Sequence, residues 1–139
     1  MYVNYWQPMK NKALVIMVLS LFIMSACKQA EEKLSEELNA QVMALHDQLM
    51  PQTEQIVQLK GKLDSLSQGK DSTHVKRLIL ALDKADQSMM DWMHSFSVDS
   101  LGKLDAKAKA IYLGQQLSRL KNVEALTDSS LLAAKNYVQ

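Results

Sequence analysis

The order of apolar and polar residues along the chain carries one rhythm for most of its length. From Leu38 the core-type positions step alternately by four and three through Val42, Leu45, Leu49, Gln52, Ile56, Leu59, Leu63 and Leu66. This is the spacing of a long amphipathic helix packed in coiled-coil fashion, predicted from about Glu31 to Leu66, with Gln52 as its one polar interruption. Ser67-Gln68-Gly69-Lys70-Asp71-Ser72 supplies a breaker and N-cap candidates. A second stripe, Val75, Leu78, Leu82, Ala85, Met89, Trp92 and Phe96, predicts a helix ending near Ser97. Ser97 to Gly102 reads as a loop. A third helix begins near Asp105 with Ala110, Leu113, Leu117, Leu120, Thr127, Leu131 and Ala134 on one face, Glu124 interrupting it. Gly114 weakens that helix by about 1 kcal/mol relative to Ala.

No segment alternates with the period of a strand, and the connections are short. Short connections make neighbouring helices antiparallel, so the expected fold is all-α: an up-down-up three-helix antiparallel bundle with coiled-coil-like packing over residues 42–139. Folding about Gly69 sets Val42 level with Phe96 and His46 level with Trp92. A second turn centred near Leu101 brings Ala110 to Tyr112 to the same height. Residues 28–41 then stand outside the bundle as a stem that, if helical, spans about 20 Å. Leu34 and Leu38 lack partners there, so the stem is either frayed or a contact site for another chain. Pro51, without an amide hydrogen, bends the first helix either on its solvent side or so as to open a groove.

Ahead of the heptads the pattern changes. Lys10 and Lys12 precede an apolar run from Ala13 to Met24, followed by Ser25, Ala26 and Cys27. That is the plan of a cleaved secretory signal over residues 1–26, and the run is shorter than the roughly 20 residues that span a bilayer. Met9 begins a conventional signal, which makes residues 1–8 an upstream start. Met24-Ser25-Ala26-Cys27 resembles the lipobox of bacterial lipoproteins, with Met24 where Leu is usual. The resemblance implies acylation of Cys27 with fatty acids such as palmitate, against a free thiol after cleavage or a retained anchor. Lys28-Gln29-Ala30-Glu31-Glu32 resembles the signal that sends some Bacteroidota lipoproteins to the outer face of the outer membrane, and it reads equally as a solvated spacer.

Composition narrows the functional classes. Cys27 is the only cysteine, so the domain has no intrachain disulfide, cysteine zinc site or cysteine nucleophile. Removing residues 1–26 takes Lys10 and Lys12 with them and leaves 14 Lys+Arg against 15 Asp+Glu in 113 residues. That balance, with no basic run, argues against nucleic acid as a partner. No serine lies in a nucleophile turn, no glycine-rich loop opens a helix, and the carboxylates are scattered, so an enzyme is not expected. His46 and Asp47 are neighbours whose side chains leave a helix about 100° apart and are not expected to pair. No role is read for His74.

Two runs remain: His46-Asp47-Gln48-Leu49-Met50-Pro51 and Met89-Met90-Asp91-Trp92-Met93-His94-Ser95-Phe96. Met89, Trp92 and Phe96 hold core positions. Met90 and His94 share an outward face with Asp86, while His46 and Met93 flank the stripe. His46, Met50, Met90, Met93 and His94 form the candidate patch, read as a capped core end, an apolar partner surface, or a soft-metal site. Its thioethers and imidazoles, from Met90, His94, His46 and Met50, suit Cu(I), the one cofactor considered. The two runs, with Tyr112-Leu113, also resemble a family of small helical lipoproteins of Bacteroidota, some labelled by analogy with a viral A-type inclusion protein. That resemblance covers most of the chain after Cys27 and implies no activity, substrate or catalytic residue. The expectation is a lipoprotein of the cell envelope, on the outer membrane, acting as a structural or protein-interaction module. A soft-metal-binding lipoprotein is the alternative.

Overall fold

The first heptad stripe belongs to a longer helix than its spacing predicts. In the computed structural model α1 runs unbroken from Gln7 to Leu66, with Pro51 in its interior. Residues 7–67 and 72–139 are described, with side chains from Lys28 onward. The side chain of Cys27, those of the apolar segment before it, and the turn around Gly69 lie outside the described residues. The start near Glu31 is therefore corrected. No Gly or Pro stands between Cys27 and Glu37, and Ala, Glu, Lys and Leu favour helix throughout, so nothing ends it there.

Helix α2 spans Ser72–Ser95. The segment expected as a loop contains a single helical turn, α3, Val98–Leu101. Its cause is local: the Ser97 hydroxyl accepts from the Ser100 amide at 3.3 Å, satisfying one of the free donors of a helix start. Helix α4 spans Ala106–Val138 and is capped by Asp105, whose carboxylate accepts from the Ala108 amide at 2.8 Å. No strand occurs among the described residues, and the protein is all-α. Among the same residues, no helix is long and apolar enough to cross a membrane.

The three long helices all pack on one another and enclose two clusters. One joins Ile56, Leu59 and Leu63 of α1 to Val75, Leu78, Leu82 and Ala85 of α2 and to Leu131 and Ala134 of α4. The other joins Val42 and Leu49 to Met89 and Trp92 and to Leu113, Leu117, Leu120 and Val123. Between them lies a polar level. Gln52 on α1 shares a shallow groove with Asp128 and Leu131 of α4. Thr127 and Ser130 of α4 are buried, the Ser130 hydroxyl donating to the Thr127 carbonyl at 2.9 Å. Each fully buried Leu, such as Leu63, Leu82 or Leu120, contributes about 1.5–3 kcal/mol.

Directional bonds line the seams. Gln48 donates to Glu124 at 3.2 Å and Lys135 donates to Gln55 at 2.8 Å, tying α1 to α4. Lys60 pairs with Asp83 across α1 and α2. The hydrogen bond to Asp83 holds the Lys60 ammonium above its ordinary lysine range, more than the partial burial lowers it, with the charges of Asp83, Asp86 and Asp64 adding. Glu124 is half-buried on the seam, and Val123 takes the core position beside it.

Expectations for the stem are revised in part. It is helical. Leu34 is exposed, as expected, but Ser35 is buried and Leu38 packs against the second cluster. The partners come from beyond α2: Leu101 packs against that same cluster, and α3 with the start of α4 faces Ser35 and Asn39 across a groove.

Candidate functional site

The second cluster ends in a row of four rings. Trp92 occupies the core stripe of α2 and is 3% exposed. His46 comes from α1, its ring centroid 5.8 Å from that of Trp92 and tilted by 33°. This agrees with the register expected from a turn at Gly69. Phe96, one helical turn after Trp92, stacks on it at 5.1 Å and 17°, and Tyr112 of α4 follows at 6.2 Å from Phe96. Offset and tilted ring pairs of this kind contribute about 0.5–1.5 kcal/mol each beyond the area they bury.

Hydrogen bonds fix the row. The Trp92 indole nitrogen donates to the backbone carbonyl of Gln116 at 3.2 Å, so the polar edge of a buried ring is satisfied across α2 and α4. The Tyr112 hydroxyl accepts from the Ser97 amide at 3.1 Å and donates to the Ser95 carbonyl at 3.5 Å, closing the end of α2. These bonds correct the second register. Gln116, rather than Ala110 to Tyr112, is level with Trp92, and Tyr112 is level with the end of α2. The physical reason is the α3 turn with its capping residues, which lets α4 begin further along the bundle than a simple loop does.

The candidate residues are distributed around this row. His46 and Met93 are half-buried, Met93 packing against the cluster. Met50 and Met90 stand 38% and 40% exposed, and His94 is exposed in the last turn of α2. His46 is thus brought onto Trp92, with Met50 one turn further along α1. Met90 and His94 lie one turn apart on the open side of α2.

Three features escaped the sequence reading. Met43, 41% exposed, precedes His46 by three positions and Met50 by seven, on the same side of α1. The spacing was there to read, but Met43 lies off the core stripe and outside both singled-out runs. Asp47 does reach its neighbour, contrary to expectation: its carboxylate lies 3.0 Å from His46 Nδ1. The 100° separation applies at the Cα atoms, and both side chains are long enough to turn back along the helix surface. The third is a groove of about 390 Å³ between α1, α3 and α4, bordered by Ser35, Asn39, Val98, Leu101, Lys109 and Leu113. It depends on α3, which carries no periodic signal.

His74 acquires a structural setting at the other end, its ring centroid 5.2 Å from that of Tyr137 and its Nδ1 accepting from Arg77 at 3.4 Å. Among the described residues no group of three His, Cys, Asp or Glu side chains stands where it could hold a metal ion. No family model matches the chain, and neither a curated protein nor a solved structure matches it significantly.

Proposed function

We propose that the protein is a lipid-anchored interaction module of the bacterial cell envelope. In this reading residues 1–26, starting effectively at Met9, are a signal peptide, acylated Cys27 tethers the protein to the outer membrane, and the folded part acts by binding another envelope protein rather than by catalysis. The observation that carries it is Cys27 directly after the apolar run Ala13–Met24 and the small residues Ser25 and Ala26. The resemblance to small helical lipoproteins of Bacteroidota points the same way.

The proposed architecture of the folded part is an up-down-up bundle of α1, α2 and α4. Its support is the membership of the two clusters. Higher-numbered residues of α1 meet lower-numbered residues of α2 and higher-numbered residues of α4, and lower-numbered residues of α1 do the reverse. The proposed partner surface is the flank carrying His46, Met50, Met90, Met93 and His94. Its half-exposed methionines contrast with Met89, which is 2% exposed in the core. Flexible thioether side chains accommodate apolar partners of varied shape.

The deciding experiment is Cys27→Ser in cells given labelled palmitate. The expected result is loss of label and accumulation of a larger precursor. Equal labelling of wild type and variant refutes the lipoprotein reading.

A further inference from the structure

We propose that Met43, His46 and Met50 bind one Cu(I) ion on the exposed flank of α1 beside Trp92. The inference starts from the His46 ring. Asp47 is a carboxylate and can only accept, so the 3.0 Å contact requires the proton to sit on His46 Nδ1. In the neutral ring that leaves the lone pair on Nε2. Trp92 packs beside the imidazole, and the His46 side chain is 22% exposed, so the ring is held rather than free. A carboxylate bonded to one ring nitrogen, which orients the other, is the usual outer arrangement of a metal-ligating histidine.

The neighbouring donors are thioethers. Met43 and Met50 lie three positions before and four after His46 on an unbroken helix, each about 5–6 Å from it between Cβ atoms. Both are open to solvent, at 41% and 38%. Three rotatable bonds let each sulfur swing toward the imidazole. Two thioethers and one imidazole form a soft donor set suited to Cu(I), while the three-residue His, Cys, Asp and Glu groups that serve zinc and harder ions are absent among the described residues. The indole of Trp92 shelters the core side of the imidazole. This set differs from the pair Met90 and His94. No described side-chain bond orients His94, whereas Asp47 orients His46.

The test is an anaerobic titration of the purified full chain with Cu(I) against a chromophoric Cu(I) chelator, and with Zn(II) in parallel. The wild type is expected to withdraw one equivalent of Cu(I) and to take up no Zn(II) at the same concentrations. Asp47→Ala, which removes the positioning carboxylate, weakens Cu(I) binding by about tenfold to a hundredfold, and Asp47→Asn, which keeps an accepting oxygen, restores it. Met43→Leu/Met50→Leu reduces uptake further, with an unchanged melting temperature because Leu replaces Met at near-equal volume on an exposed face. If that variant melts early, the Asp47 pair carries the test alone. Met90→Leu/His94→Ala binds as the wild type does. Failure of the wild type to compete, full binding by Met43→Leu/Met50→Leu with a native melt, or loss of binding in Met90→Leu/His94→Ala overturns the proposal. None of these outcomes depends on acylation of Cys27 or on an envelope partner.

Discussion

The two ends of the core are built from different materials. The buried members of the cluster around Leu63, Val75 and Leu82 are all aliphatic and pack without directional bonds, with Tyr137 at their edge beside His74. The cluster around Val42, Trp92 and Leu120 ends in rings whose edges are bonded: Trp92 to the Gln116 carbonyl, Tyr112 to Ser97 and Ser95, His46 to Asp47. Aliphatic heptads alone tolerate a slide of one helix past another by a turn, because every hole accepts a similar knob. A buried indole that must find one carbonyl does not. The aliphatic end therefore supplies burial, and the aromatic end supplies both burial and register. The polar level of Gln52, Thr127 and Ser130 separates the two roles.

The largest effect expected is at the ring that does both. Trp92→Ala should lower stability by about 3–5 kcal/mol. It should also remove hydrogen-exchange protection from α3 and from the first turns of α4 beyond what the global loss explains. Protection falling evenly over the whole chain would erase the proposed division. Leu82→Ala, its counterpart at the aliphatic end, should cost about 2–5 kcal/mol in a chemical melt while relative protection along the chain stays the same. A change in register at α4 on that substitution would reverse the assignment of roles.

Smaller effects sharpen the same contrast. A methyl group added at Gly114 meets nothing within 4 Å, so Gly114→Ala should stabilise the aromatic end by about 1 kcal/mol, and a melting temperature that falls instead would show hidden crowding. Met90→Ala/His94→Ala, on the outward side, should stay within about 0.5 kcal/mol of wild type. A loss comparable with that of Leu82→Ala would place these side chains in the packing.

Legibility in the sequence followed the same line. The heptad residues of the second helix were readable nearly in full, since Val75, Leu78, Leu82, Ala85, Met89 and Trp92 are all buried. The hairpin about Gly69 correctly paired His46 with Trp92, because two helices and a short turn leave one level for each residue. Periodicity says nothing about a single capped turn, so α3 was missed, and with it the true level of Gln116 and the cover over Ser35. Gln116 and Ser130 were not expected inside, since polar residues on a helix read as solvated until a partner helix is placed over them. The bond from His46 to Asp47 was invisible for a similar reason: it depends on rotamers that spacing does not encode.

The unbroken course of α1 gives the molecule an angular memory. Whatever is held at residue 27 is joined through a continuous helix to the ring row at His46, with no swivel along the way. Each residue inserted between Cys27 and Ser35 turns everything beyond it by about 100° and advances it by about 1.5 Å. One added residue thus points the methionine flank away from its former direction, while seven return it to within about 20°. The spacer therefore acts as an axle as well as a stalk, and the heading of the flank is set by the number of residues in it, whatever their chemistry.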